Sequence, residues 1–295
     1  MNLITVFQRF PDQEACIEHL EAIRFGDEPF CPLCGSLHVA RKADGDRIGR
    51  WNCHVCKGSL NVLSGTIFQK TRIPLQKWFL GIGLMANAKK SISSHQLARD
   101  LDVAQSTALY MQARIRASMA AEDRGLLQGI IEADETYIGG KPRKGNKHDD
   151  DDTPNPRGRG TKKTPVIGAV ERGGRVVAQA ADGKGDLTGP GILQFIKENV
   201  DTDGSLLITD EYKAYNAVNP IMRRAVIKHA EQYADGATHT NTIEGFWSLV
   251  KRAWFGSHHH YSRKYLPLFM AESCWKYNHW DNDDAFGTFL QGAMA

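Results

Sequence analysis

Two pairs of cysteines, Cys31-Pro-Leu-Cys34 and Cys53-His-Val-Cys56, are separated by eighteen residues. A two-residue spacer lets one tight turn aim both thiolates at one ion, and the interval between the pairs suits a single tetrahedral zinc site. Gly35 and Gly58, just past the knuckles, supply the backbone freedom that such turns use. His38 and His54 lie close enough in sequence to replace a thiol. Two disulfides are the alternative. Met1 to Phe10 has no long apolar run of the kind that opens a signal peptide, so a reducing cytosol is expected, where structural disulfides are rare. Cys16 and Cys274 have no partner at ligand spacing and are expected to be small buried apolar residues.

A second set is acidic: Asp134, Asp210 and Glu244. Brought together, three carboxylates repel and raise one another's pKa unless a cation intervenes. Mg²⁺ (or Mn²⁺) is the natural partner, because it takes hard oxygen ligands and keeps waters for substrate. A pair of such ions activates a nucleophile and stabilises the leaving oxygen in phosphoryl transfer. Around Glu244, the residues Asn241, Ser248 and Lys251 fall on one helical face, while Ile243, Phe246, Trp247, Val250 and Trp254 fall on the other. Lys251 is placed to hold a phosphate beside the carboxylates, and Arg252 adds charge. Glu132 shares a strand face with Asp134, Glu135 points the other way, and Glu211 follows Asp210. Pattern alone does not decide which of each pair binds metal.

The elements that must position these groups are legible. Pro11 to Ile23 has a helical period and Gly26 follows it. Short strands are expected at Arg50–Asn52 and Leu60–Leu63, and Pro74 opens a helix. Ser93 to Arg116 has the form of a helix-turn-helix: Ser94 as cap, Leu97, Ala98 and Leu101 inside, a turn at Asp102-Val103, and a second helix from about Ala104. That second helix presents Gln105, Ser106, Thr107 and Arg114, which suits a major groove; the plainer reading is a helical hairpin. Gly129 to Ile138 reads as a strand ended by Gly139-Gly140, and Lys141 to Lys163 as a long polar loop. Its block Asp149–Asp152 lacks the pattern of a calcium loop and reads as a solvated charge run. A hairpin, Val166–Val170 and Arg175–Ala180, turns at Gly173-Gly174. Then come a helix from Gly191 to Val200, a strand Leu206–Asp210, a helix Tyr212–Val218, a strand Ala225–His229 and a long helix from about Thr242 to Phe255. This is the order of an RNase H-like domain, a mixed five-stranded sheet with helices. In that fold the first and fourth strands are neighbours and the last helix packs beside them, so Asp134, Asp210 and Glu244 converge.

With these residues in view, the chain resembles bacterial insertion-sequence transposases of the DDE class, in the ISXO-two-like (IS-fifteen-ninety-five) family with an N-terminal zinc ribbon. The resemblance rests on Glu132-Ala-Asp-Glu-Thr-Tyr-Ile-Gly-Gly140, Thr209-Asp-Glu-Tyr-Lys-Ala-Tyr215, His239-Thr-Asn-Thr-Ile-Glu-Gly-Phe-Trp-Ser-Leu-Val-Lys-Arg252, and Gly65-Thr-Ile-Phe68 closing the ribbon. It covers nearly the whole chain. It implies that Asp134, Asp210 and Glu244 are the DDE triad, that Lys251 is the basic residue after it, and that Asn241 lines the same site.

The implied organisation is an N-terminal helical segment (1–28), a zinc ribbon (29–68), a helical DNA-binding region (72–122) and an RNase H-like catalytic domain (128–290). The implied activity is binding of terminal inverted repeats, metal-dependent strand cleavage and strand transfer into target DNA, by at least a dimer, since two ends must be joined. A catalytically silent DNA-binding regulator and an RNase H-like nuclease are the alternatives. Composition adds bounds. A length of 295 residues allows one good core with one or two small modules. A net charge of +3 is too small to argue for nucleic acid without local clustering. No apolar run approaches the ~20 residues of a membrane span; the resemblance implies a cytoplasmic, nucleoid-associated bacterial protein.

Overall fold

The computed structural model describes residues 1–42, 49–122, 125–139, 163–181, 187–227, 239–258 and 261–294. The block Asp149–Asp152 and most of the polar loop around it, with Lys228 and His229 at the end of the expected fifth strand, lie outside the described residues. The chain divides into two units, Met1–Glu122 with His279–Ala295, and Asp123–Asn278. The sequence reading ran the catalytic region to residue 290. Here the chain beyond Asn278 gathers with the amino-terminal unit.

In the first unit, helix α1 (Leu3–Arg9) is capped by Asn2 and α2 (Gln13–Phe25) by Asp12, whose side chains accept from Thr5 N and Ala15 N. The cap at Asp12 moves the start of α2 two residues past the expected one; α1 was not anticipated. Strands β1 (Val39–Arg41), β2 (Arg50–Cys53) and β3 (Ser59–Asn61) form an antiparallel sheet in that order. Pro74 precedes α3 (Leu75–Asn87). Helices α4 (Ser94–Leu101) and α5 (Gln105–Ala121) are joined through Asp102 in the left-handed region at φ 48°. Ser93, one residue earlier than expected, caps α4 by accepting from Gln96 N. Gln105 Nε2 donates to Ser94 Oγ at 2.7 Å and ties the two helices together. Helix α9 (Ala285–Met294) brings Phe286 against Phe79 and Phe10, with ring centroids 5.6 and 6.0 Å apart.

The second unit is built on a five-stranded sheet. Strands β4 (Ile130–Ile138), β5 (Thr164–Glu171) and β6 (Val176–Ala180) are antiparallel neighbours, and β7 (Leu206–Thr209) and β8 (Arg223–Val226) continue the other side in parallel. The order β6-β5-β4-β7-β8 is the RNase H-like arrangement expected from the sequence. Alternation along β4 divides its side chains. Ile131 and Ala133 enter one core with Ile192, Phe195 and Ile196 of α6 (Gly189–Asn199) and with Tyr215 of a 3-10 helix, Lys213–Val218. Ile138 enters the other core with Phe246, Trp247 and Val250 of α7 (Asn241–Ala253) and Met270 and Cys274 of α8 (Leu266–Asn278). A turn of π-helix, Trp254–His258, extends α7. The fifth strand begins two residues earlier than read, because Arg223 to Val226 pairs alongside β7.

Candidate active site

The four ribbon cysteines come together. All four Sγ atoms lie within 4.8 Å of one another, with Cys31–Cys56 at 3.7 Å and Cys34–Cys53 at 3.6 Å. Thiolates around one tetrahedral zinc, with bonds of about 2.3 Å, are spaced about 3.8 Å, so the set fits zinc. Among the described residues neither His38 nor His54 joins it. Cys16 and Cys274 are buried, as expected, and stand outside this set. Gly35 has φ 72°, as its knuckle requires, but at the second knuckle Lys57 takes the left-handed conformation, at φ 58°. Gly58 is needed for space: a Cβ there would meet Leu33 Cδ1 at 3.1 Å and Cys56 Sγ at 3.3 Å.

In the second unit Asp134 lies on β4, Asp210 just past the end of β7, and Glu244 in the first turn of α7. The parallel register pairs Glu132 with Ile208. Asp134 and Asp210 each lie two residues beyond that last shared pair, on neighbouring strands and at the same end of the sheet. Burial, and then the charges of Asp210 and Glu244, push the Asp134 carboxyl up to about 6, against the lowering effect of hydrogen bonds from the Glu135 backbone and the Trp247 side chain. The fully buried Tyr215 phenol is pushed well above its usual value by burial and then by Glu135, Asp134 and Asp210. The three acids thus share one field. Their oxygens do not all lie within 4.8 Å of one another, as the cysteine sulfurs do. The donor set is three hard-oxygen carboxylates, with Asp134 half-buried and hydrogen-bonded by a neutral indole, and it fits a divalent metal.

Two of the competing acids, Glu132 and Glu135, have other partners. Glu132, fully buried, is paired with Arg172 Nε at 2.6 Å and lies 3.2 Å from His239 Nδ1. It accepts from Thr242 N, Thr242 Oγ1 and Ile243 N, at 2.8, 2.9 and 3.1 Å. The two backbone N–H donors are orphan groups of the first turn of α7, so Glu132 caps that helix from the neighbouring strand. Glu135 accepts from the Tyr215 hydroxyl at 3.3 Å. Glu211 is exposed.

Each of the three acids is held. Asp210 Oδ1 accepts from Tyr212 N at 2.9 Å, and its backbone carbonyl accepts from Arg224 Nη2 at 3.0 Å. Arg224 also donates to Thr209 Oγ1 and Asn216 Oδ1, both at 2.8 Å. Glu244 Oε1 accepts from Thr240 Oγ1 at 3.0 Å. Asp134 Oδ2 accepts from Trp247 Nε1 at 3.1 Å. Asn241 is exposed at the start of α7, and Lys251 and Arg252 are exposed in its last turn. Lys251 and Lys163 line a cavity of about 530 Å³ with Thr136, Trp254 and Phe255.

On α5, Ser106 is exposed, and Gln105 and Thr107 are half-buried. Arg114, read from the sequence as facing DNA, donates through Nη1 to the carbonyls of Ile67 (2.6 Å) and Gln69 (3.2 Å) and so ties α5 to the segment leaving the ribbon. Sequence reasoning missed Arg224, Arg172 and the polar role of Trp247. Only the last left a signal: a buried indole N–H requires an acceptor.

Residues 126–278 match the ISXO2-like transposase domain, and residues 11–59 match a transposase zinc-ribbon domain. A protein of Halobacterium salinarum described as an uncharacterized protein in transposable element ISH50 is 26% identical over 277 residues, covering 88% of this chain and 89% of that one. Among solved structures, a pre-cleavage Mos1 transpososome is 11% identical with a TM-score of 0.27, covering 72% of this chain and 78% of that one. A Mos1 transposase paired-end complex with the left transposon end is 10% identical with a TM-score of 0.26 over the same shares. Likeness at that level carries no weight for fold or function. The domain match spans more than half the chain, over the strands and helix that carry Asp134, Asp210 and Glu244, and the ribbon match takes in all four cysteines: the chain belongs to the ISXO2-like transposase family.

Proposed function

We propose that this transposase binds the terminal inverted repeats of an insertion sequence, hydrolyses one strand at each end, and joins the freed 3′-hydroxyl to target DNA by direct transesterification, with Mg²⁺ (or Mn²⁺) at Asp134, Asp210 and Glu244. The observation that carries this reading is geometric: Asp134 and Asp210 each stand two residues past a shared pair on the neighbouring strands β4 and β7, and Trp247 of α7, three residues after Glu244, is hydrogen-bonded to Asp134. Acids gathered in this way from two strands and a helix offer hard oxygen ligands to a divalent cation.

When bound, divalent metal would supply Lewis-acid stabilisation of the attacking and leaving oxygens. The protein's own groups do the rest. Asp134 and Asp210 offer oxygens from adjacent strands, and Glu244 offers a third from the facing helix. Asn241, one turn before Glu244, orients a ligand at the same edge. Lys251, with Arg252 beside it, neutralises a backbone phosphate as charge builds on the transferred group. No Ser or Tyr nucleophile is required, because water and then a DNA 3′-hydroxyl attack phosphorus directly.

The zinc ribbon and the α4–α5 pair, read as a helix-turn-helix with Gln105, Ser106 and Thr107 toward the groove, carry end recognition. Arg114 takes part by holding α5 in place. Two ends must be brought to one reaction, so at least a dimer assembles on DNA. Among the described residues no helix is long and apolar enough to cross a membrane.

The test is cleavage of a supercoiled plasmid carrying the element ends, with Mg²⁺ present. Nicking and strand-transfer products from the wild-type chain, lost in Asp210→Asn while end binding persists, are the expected result. Binding without nicking by the wild type would make the protein a regulator. Cleavage without end dependence or joined products would make it a nuclease.

A further inference from the structure

Glu132 and Asp134 point from the same face of β4 toward α7, yet they are treated differently. Glu132 is matched by a guanidinium, Arg172 at 2.6 Å. The side-chain hydrogen bond to Asp134 comes from the indole N–H of Trp247, at 3.1 Å from Oδ2, which is a neutral donor. A neutral donor fixes the orientation of a carboxylate without cancelling its charge.

The strand next to β4 is shaped for that indole. Gly168 on β5 lies opposite Asp134 in the antiparallel register. A Cβ at Gly168 would fall 2.7 Å from Trp247 Cη2 and 2.8 Å from Cζ2, and 3.3 Å from the Val177 carbonyl oxygen. Cζ2 belongs to the edge of the ring that carries the N–H, so a methyl group there would push the donor away from Asp134. Trp247 is 3% exposed and packed against Phe246, with centroids 5.1 Å apart, so the ring has little room to yield.

Trp247 also lies three residues after Glu244, on the neighbouring turn of α7. Its bond to Asp134 therefore spans the two elements that carry two members of the triad. With Glu132 holding the first turn of α7 through Thr242 and Ile243, the helix is tied to β4 at two points, against sliding and against rotation.

We propose that Trp247 is a positioning residue of the carboxylate cluster: its indole N–H, seated over Gly168, engages Oδ2 of Asp134 and sets the separation from Glu244, orienting the carboxylate toward a divalent cation without cancelling its charge. This rests on the reading of Asp134 as a metal ligand.

The test is Mn²⁺ binding to the full-length, zinc-loaded chain without DNA, followed by the electron paramagnetic resonance signal of free Mn²⁺. Replacing the Trp247 indole by the isosteric benzothiophene keeps the ring and removes only the N–H. It is expected to weaken Mn²⁺ binding about tenfold, the scale of losing a group that orients a ligand. Trp247→Phe and Gly168→Ala, checked for native circular dichroism, should each weaken it similarly. Gly168→Ala should add nothing in the Trp247→Phe background, because the ring atoms it would strike are gone. Wild-type affinity in the benzothiophene variant, or losses that simply multiply in the double variant, would overturn the proposal. Failure of the underlying reading looks different: there the wild type binds no Mn²⁺, or Asp134→Asn binds it as well as the wild type does, and the positioning role falls with it.

Discussion

The carboxylate of Glu132 accepts hydrogen bonds from both the backbone N–H and the hydroxyl of Thr242, at 2.8 and 2.9 Å, across 110 positions of sequence. A strand residue thereby caps a helix that its own cap residue, Thr240, leaves without a side-chain bond to the backbone. Because Glu132 is fully buried and paired with Arg172, its removal leaves a guanidinium and two helix N–H groups without their acceptor. Glu132→Ala should lower stability by about 3–5 kcal/mol, as breaking one side of a buried pair does. Urea unfolding of the metal-free chain measures this; a loss under about 1 kcal/mol, the scale of an exposed pair, would mean the pair is not buried as described.

The raised Asp134 pKa makes a prediction of definite sign for the metal-free chain. The carboxyl moves from 3.8 to about 6 on folding. Below the unfolded value it is protonated in both states and contributes nothing. As pH rises between the two values the unfolded chain gives up its proton first, and by neutral pH the native state bears a full penalty, about 2–3 kcal/mol. Asp134→Asn should therefore stabilise the metal-free protein above pH 7, with the gain shrinking as pH falls through 6 and gone near 4. A difference in melting temperature that does not vary with pH would contradict the burial and charge assigned to this group.

The β1–β3 sheet has only a small buried cluster of its own, Cys31, Cys53 and Leu60, with Val39 and Trp51 packed at the margin. Helix α2 braces it from outside: Glu21 accepts from Trp51 Nε1 at 2.8 Å, and Arg24 donates to the carbonyls of Val62 and Ser64. With so small a cluster, the thiol site is what fixes the two knuckles. Cys34→Ser should release zinc, from about one ion per chain, and open the segment around β1–β3 to limited proteolysis. Retention of zinc by this variant, measured by a chromogenic chelator, would show that other ligands complete the site.

Arg224 holds the loop that carries Asp210 through three separate acceptors: the Asp210 carbonyl, Thr209 Oγ1 and Asn216 Oδ1. A lysine has the charge but not the planar fork, so it cannot reach all three. Arg224→Lys should cut Mg²⁺-dependent nicking about tenfold, by loosening a ligand rather than removing one. Unchanged nicking would show that Asp210 is held in place by its turn with Tyr212 alone.

The zinc knuckles and most strands and helices could be read from residue types and spacing, because each is governed by local rules: a two-residue turn, a period of two, a run of apolar residues; the strand order β6-β5-β4-β7-β8 came from the order of the elements along the chain, which fits an RNase H-like sheet. Alternation placed Glu132 beside Asp134 but could not separate their roles, since it gives a face and not a partner. The partners, Arg172 for one and Trp247 for the other, arrive from distant positions. Trp247 was legible as buried, yet nothing in its helical spacing indicated which acceptor its N–H would find. Arg114 shows the same limit in reverse: helical spacing marks a basic residue, but the carbonyls of Ile67 and Gln69 that its Nη1 meets come from a distant segment. Gly58 misled because a glycine serves close approach as readily as a positive φ.

The chain leaves its first unit after Glu122 and re-enters it at His279, so the RNase H-like unit is an insertion within the other. Phe286 of α9 is buried against Phe10 and Phe79. On the ribosome, then, Phe10 and Phe79 emerge well before the ring that covers them, which follows only after the whole five-stranded sheet has been synthesised. A stop codon shortly before Phe286 would injure the ribbon-bearing unit rather than the sheet.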